Sequence, residues 1–284
     1  MPGIIWLASY PKSGNTWLRA FMANLMRNPS QPLAINDLPN YILGDGFHIH
    51  YETLSGKKAS ELSPEDFTRL RPKLHEWFAY SRGEDVFVKT HNLIATVHDC
   101  PLITPSATAG AIYVVRNPMD VAVSFAHHYQ VSYQRAVESL CDPNYHIPGS
   151  EDQTTQYLSS WSRHVRSWLD APGLTLHMMR YEDMLQKPVK AFGALIDFLG
   201  LPKEPARLKK AVNFSSFREL SRQEKGTKFI ESRPDGKSPF FRQGRAGDWR
   251  KILTEPQVQT LIDAHGEVMT RVGYLNKDGK PRGV

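Results

Sequence analysis

The run Ile4-Ile5-Trp6-Leu7-Ala8, continued by Ser9-Tyr10-Pro11-Lys12-Ser13-Gly14-Asn15-Thr16-Trp17, constrains the fold more than any other stretch of the chain. Its short apolar half reads as a buried strand, and the spacing of Leu18, Phe21, Met22 and Leu25 predicts an amphipathic helix after it. The turn between them is built of small residues and carries one lysine. Backbone N–H groups at the start of a helix have no partner within it, and the helix dipole adds positive potential there. Such a junction is an anion cradle suited to phosphate. Lys12 precedes Gly14, so the loop does not fit the G-x-x-x-x-G-K-[ST] pattern, and an ordinary Walker-type ATPase is disfavoured. Taken alone, the loop could also be a tight structural turn.

The remaining chain extends this pattern. Strand-like runs at Ile4–Ala8, Val86–Lys89, Ala111–Val115 and Leu174–Met179 alternate with helical patterns near Asn15–Met26, Pro64–Tyr80, Pro118–Leu140, Thr154–Leu169, Lys187–Leu199 and Glu255–Val272. Ile112-Tyr113-Val114-Val115 is apolar at every position, as a strand covered on both faces requires. The expected fold is α/β with three layers, a central parallel sheet flanked by helices. At 284 residues a single domain over 1–275 is expected, with 276–284 a flexible tail. Residues 29–56 and 222–249 break the alternation and are candidates to cover a site at the carboxyl ends of the strands.

Composition narrows the partners. Apolar residues make up 40% of the chain, but no run approaches the roughly 18 residues of a membrane span. Neither a basic leader nor a cysteine framework is evident, with Cys100 and Cys141 the only cysteines, so a reducing, cytoplasmic setting is expected. The net charge of +6 is uneven: residues 222–251 hold nine Lys/Arg against four Asp/Glu. A pocket for a small polyanion explains that patch at least as well as nucleic-acid binding, because no groove-reading motif accompanies it. His48/His50 and His127/His128 lack the matching ligands of a metal site, and no metal is expected.

Four segments would meet at the sheet edge: Lys12–Trp17; Val88-Lys89-Thr90-His91; Tyr113-Val114-Val115-Arg116-Asn117-Pro118-Met119-Asp120-Val121-Ala122-Val123-Ser124; and Phe241-Arg242-Gln243-Gly244 with Gly247-Asp248-Trp249. Asn117 is placed to cap a helix that has Pro118 at its first position and Asp120 at its third. Together these segments resemble the cytosolic-type sulfotransferases that use 3′-phosphoadenosine 5′-phosphosulfate (PAPS), and Arg180-Tyr181-Glu182-Asp183-Met184 matches a further block. The similarity runs in the family's order from Ile4 to about Trp249, in a layout closest to compact bacterial members.

The resemblance implies roles. His91 would be the general base, Lys12 would stabilise the leaving phosphate, Lys89 would hold the sulfuryl group, and Ser124 would restrain Lys12 before the acceptor arrives. The backbone of Ser13, Gly14, Asn15 and Thr16 would cradle the 5′-phosphate. Trp17, Tyr181, Ser215, Ser216 and Phe217 would surround the adenosine; Arg116, Ser124, Arg242 and Gly244 would bind the 3′-phosphate. Gln243 stands where many members have lysine, which removes one cation. The family's dimerisation motif is degraded around Lys251 and Thr254, so oligomeric state stays open.

The implied reaction transfers a sulfuryl group from PAPS to a hydroxyl, less readily an amine, of a small molecule, releasing 3′,5′-bisphosphoadenosine (PAP). A nucleotide-dependent phosphotransferase and a non-catalytic nucleotide- or RNA-binding protein are the alternatives. Tyr41, Phe47, Tyr51 and Phe125 could wall an aromatic or glycosylated acceptor, although single aromatic residues more often serve packing. The same holds for Trp161, Val165 and Trp168, whose helical spacing suits a core.

Overall fold

The computed structural model describes residues 2–81, 83–232 and 239–282. Five strands form one parallel sheet: β1 (Ile4–Ser9), β2 (Leu43–Gly44), β3 (Val86–Thr90), β4 (Thr108–Val115) and β5 (Leu176–Arg180), in the order β2-β3-β1-β4-β5. The chain crosses over β1 between β3 and β4, so β1 lies at the reversal of strand order. In such sheets the crevice outside the carboxyl ends at that point is where ligands bind.

Alternation along the strands divides the core into two layers. Trp6 and Ala8 of β1 and Tyr113 and Val115 of β4 face a layer built on helices Pro64–Tyr80, Pro118–Tyr129, Trp161–Leu169 and Glu255–Arg271. Leu7, Ile112 and Val114 face the other, which contains Leu18, Phe21, Met22 and Leu25 of α1 (Asn15–Arg27). This is the three-layer arrangement expected from the sequence. Trp161, Val165 and Trp168 are buried core residues. Gln257 accepts a hydrogen bond from the Thr254 N–H at 3.0 Å and starts the last long helix.

Several boundaries differ from the periodicity. The pattern over 118–140 is two helices, Pro118–Tyr129 and Tyr133–Cys141, because Gln130 turns left-handed at φ 54° and Ser132 caps a new start. The pattern over 154–169 becomes helical only at Trp161, after Ser160 caps it; Gln156–Tyr157 pairs instead with His146–Ile147. Helices Pro205–Phe214 and Phe217–Gly226 lie where no helix was expected, in sequence whose charged residues dilute the apolar stripe. In place of a loose tail after Leu275, Leu275 pairs with Pro281 and the Arg282 N–H donates to the Tyr274 carbonyl. Residues 283–284 of that tail, and 233–238 of the charged stretch, lie outside the described residues.

The irregular stretch 29–56 closes the sheet edge. Leu43–Gly44 adds to β3, and the next residue, Asp45, becomes a buried hub. Its Oδ2 accepts from Arg71 Nη1 at 2.8 Å, Thr90 Oγ1 at 3.0 Å and Asn92 Nδ2 at 3.0 Å. This hub fixes the end of β3 and the turn that carries His91. Arg71 is 1% exposed, so an Asp45→Ala substitution strands a buried guanidinium. It is expected to lower the unfolding free energy by about 3–5 kcal/mol. A urea-unfolding midpoint equal to wild type would show that Arg71 finds another partner.

Candidate active site

At the carboxyl edge of β1, β3 and β4 lies a cavity of about 720 Å³, within the usual range for small-molecule sites of about 300–1,000 Å³. Lys12, Gly14, Asn15, Thr16, Trp17, Lys89, His91, Arg116, Ser124, Tyr181, Phe217, Arg242, Gln243 and Gly244 all line it. The structure therefore brings together residues that lie up to 232 positions apart between Lys12 and Gly244.

The first loop owes its shape to two left-handed residues, Lys12 at φ 67° and Gly14 at φ 108°. A Cβ on Gly14 would come within 2.7 Å of the Tyr181 ring, so only glycine fits. Asn15 Nδ2 donates to the Leu7 carbonyl at 2.8 Å and ties the loop to β1. No side chain caps α1, and the backbone N–H groups of residues 12–16 donate to no acceptor among the described residues. Those unpartnered donors at a helix start form the anion cradle. The Lys12 ammonium lies 3.9 Å from the centre of the Phe240 ring. Burial, and then the Arg116 guanidinium, pull its pKa down to about 7. No hydrogen bond joins it to Ser124 among the described residues.

His91 is held from behind. Its Nδ1 lies 2.8 Å from the Ser9 carbonyl, which can only accept, so Nδ1 carries the proton and Nε2 keeps its lone pair. Burial, reinforced by neighbouring Lys89, pushes its pKa well below the ordinary value and keeps the ring neutral. The His91 carbonyl accepts from His164 Nε2 at 2.9 Å, which leaves His164 Nδ1 to accept from the Tyr113 hydroxyl at 2.8 Å. Lys89 shares the strand end, and burial lowers its pKa.

Arg116 bridges the first loop and the last one. Nη1 donates to the Lys12 carbonyl at 3.0 Å, Nη2 to the Arg245 carbonyl at 3.1 Å, and the guanidinium lies 4.3 Å from the Tyr181 ring centre. Asn117 Oδ1 accepts from the Met119 N–H as a cap, as its position suggested. Asp120 does more than complement the helix start: its carboxylate accepts from the Gly247 N–H at 2.8 Å and docks the last loop. Arg242 Nη1 meets His127 Nε2 at 3.0 Å, and Gly244 lies so close to the Phe217 ring that a Cβ would clash. Gln243 is exposed at the rim. Trp17 packs edge-on to Tyr181 at 5.8 Å.

Three of the expected residues, Ser13, Ser215 and Ser216, are not among those lining the cavity. Ser13 and Ser215 are buried, and Ser215 donates its hydroxyl to the Ala211 carbonyl at 2.8 Å. Ser216 caps the helix that carries Phe217. Of the four aromatic residues weighed as an acceptor wall, Tyr51 and Phe125 are core, Tyr41 packs beside Arg27, and Phe47 covers Gly44. The far side of the cavity is lined by His128, Tyr129, Ile147, Pro148, Gln153 and Gln156. His48 stacks on Phe67 and His50 meets Phe78 edge-on, so both histidines serve packing.

Periodicity and spacing missed four polar residues that shape the site. Asp45 and Asp120 hold its walls. Glu182 accepts from the Asn117 N–H at 3.1 Å and the Tyr274 hydroxyl at 2.8 Å. Glu231 pairs with Arg19 at 2.6 Å. Glu182, inside the block around Tyr181, and Asp120, legible only as part of a helix start, had a visible signal.

Comparison with known proteins agrees with this geometry. The sulfotransferase domain family matches residues 2–273. Flavonol 3-sulfotransferase of Flaveria bidentis is 25% identical, over 97% of this chain and 85% of its own length. Cytosolic sulfotransferase 1 of Arabidopsis thaliana is 27% identical over 91% of this chain and 76% of its own. A mouse sulfotransferase solved with PAP shares the fold at a TM-score of 0.62, with 22% identity over 97% of this chain and 86% of its own. Retinol dehydratase, solved with androsterone and PAP, does so at 0.65, with 19% identity over 99% of this chain and 82% of its own. With the match covering nearly the whole chain and the loop, histidine and arginine segments converging on one cavity, the chain belongs to the sulfotransferase family of enzymes.

Proposed function

We propose that this enzyme moves the sulfuryl group of PAPS to a hydroxyl, or less readily an amine, of a small-molecule acceptor and releases PAP. One observation carries the reading: an unpartnered N–H cradle opens onto the same cavity as a neutral imidazole whose Nε2 is free to accept a proton. Sulfuryl transfer, like phosphoryl transfer, depends on in-line positioning and on neutralising shifting charge. The new bond joins the acceptor oxygen to sulfur as the bond from sulfur to the bridging oxygen breaks. The hydroxyl proton passes to His91 Nε2, and the charge left on the 5′-phosphate is met by Lys12.

The other residues divide by position. Ser13, Gly14, Asn15 and Thr16 offer backbone donors to the 5′-phosphate, and Lys89 faces the sulfuryl group. Arg116, Ser124, Arg242 and Gly244 surround the 3′-phosphate, with Gln243 at its rim. Trp17, Tyr181 and Phe217 supply rings for the adenine, while Ser215 and Ser216 act by placing Phe217. The far wall, with Gln153 and Gln156, suits an acceptor bearing several polar groups. Among the described residues no helix is long and apolar enough to cross a membrane. Both cysteines are free, and several relatives are named as cytosolic, which supports a cytoplasmic site of action.

Thermal-shift titration tests the donor. PAP is expected to stabilise the protein strongly, and ATP–Mg²⁺ and oligonucleotides weakly, because stabilisation follows RT ln(1 + [L]/Kd). Stronger stabilisation by ATP–Mg²⁺ would favour phosphotransfer. His91→Ala is expected to lower kcat by about 10²–10⁴-fold while PAP affinity stays near wild type. An active variant in a labelled-PAPS acceptor screen would remove His91 from the role of base. Lys12 titrates near pH 7 in the ligand-free protein, and an adjacent phosphate favours its charged form. PAP binding above that pH is therefore expected to take up a proton and to weaken as pH rises. Calorimetry in buffers of different ionisation enthalpy reads that uptake, and buffer-independent heats would contradict it.

A further inference from the structure

The carboxylate of Glu231 lies inside the cluster of cations that the donor reading assigns to the phosphosulfate. Its Oε2 is 2.6 Å from Arg19 Nη2, and the same Nη2 donates to Thr16 Oγ1 of the cradle at 3.2 Å. Glu231 and Thr16 both line the cavity, whereas Arg19 lies behind them with 1% exposure. Burial alone would push the Glu231 carboxyl up, but Arg19, then Lys89, and also Lys12, hold it below its ordinary range. Its Oε1 is buried and meets no hydrogen-bond partner among the described residues.

The backbone before Glu231 is anchored, and so is the later segment at Phe240 and Phe241. Ile230 N–H donates to Asn36 Oδ1 at 2.9 Å, Phe229 is buried against α1, and the Glu224 carboxylate accepts from the Phe240 and Phe241 N–H groups. Glu231 therefore reaches the cradle from a stem that is anchored on its N-terminal side. A structural ion pair could have been built anywhere along α1; this one sits beside the loop whose N–H groups are unpartnered.

We propose, building on the donor reading above, that Glu231 is an internal stand-in for the donor's 5′-phosphate: its carboxylate holds Arg19 in reserve and must leave before Arg19 can serve as a further donor-binding cation. A single carboxylate carries less charge than a phosphate and makes fewer contacts with the N–H cradle, so the dianion displaces it. The exchange keeps a deeply buried arginine paired in both states, which matters because an unpaired buried charge is strongly destabilising.

The test is the affinity of Glu231→Gln for PAP and for inorganic pyrophosphate, which carries the anion without adenosine. Glutamine keeps an acceptor for Arg19 but removes the competing charge. The variant is expected to bind both about tenfold more tightly than wild type. Equal or weaker binding of pyrophosphate would overturn the proposal, because Glu231 would then be supporting the site. Failure of PAP to bind either protein while pyrophosphate still discriminates them would count against the donor assignment and not against Glu231. Should the variant fail to fold, a PAP-bound crystal structure of the wild type decides: the Arg19–Glu231 pair is expected to be open, and an intact pair would overturn the proposal.

Discussion

Positive charge without a full complement of negative charge, gathered in a partly dehydrated cleft, is the constraint around which this molecule is organised. The α1 start, Lys12, Lys89, Arg19 and Arg116 converge where the parallel sheet ends. Burial and mutual repulsion make that arrangement costly in isolation, which is why Lys12 titrates near pH 7. A polyanion relieves the cost, and a donor whose leaving group is itself a phosphate relieves it most as charge builds during transfer. Binding and chemistry thus draw on the same unbalanced charge.

Holding that charge in place falls to a set of buried carboxylates outside the reaction itself. Asp45 fixes the end of β3 through Arg71, Thr90 and Asn92. Asp120 and Glu182 anchor the last loop and the start of the helix after β4 by accepting backbone N–H groups. Burial raises the pKa of both Asp120 and Glu182, with their hydrogen bonds and nearby Arg116 opposing it. The imidazole proposed as the base is ordered by neutral hydrogen-bond partners instead. A hydrogen-bonded line from Tyr113 through His164 to the His91 carbonyl holds the turn, the Ser9 carbonyl holds Nδ1, and burial with neighbouring Lys89 keeps the ring neutral, which suits the proposed proton acceptor.

Two glycines of the site lie where backbone approaches a ring. Gly14 passes under Tyr181 and Gly244 under Phe217, both in left-handed conformations. These contacts join the cradle and the last loop to the aromatic residues of the proposed adenosine pocket, so the anion and base ends of the nucleotide site are shaped together.

Local sequence determined the strand–loop–helix cradle, the apolar strands, the caps at Asn117 and Thr254 and the residue types of the site, because each is written in periodicity or in neighbouring side chains. The order of motifs also pointed to the family. Tertiary structure alone decided which charges meet: Asp120 with Gly247, Asp45 with Arg71 and Glu231 with Arg19, the last pair 212 positions apart. It likewise decided that Ser215 turns inward, that Gln130 breaks a continuous helical pattern, and that the polar segment around Gln153 walls the cavity. A pairing energy depends on distance and dehydration, and a linear chain specifies neither until the sheet has closed.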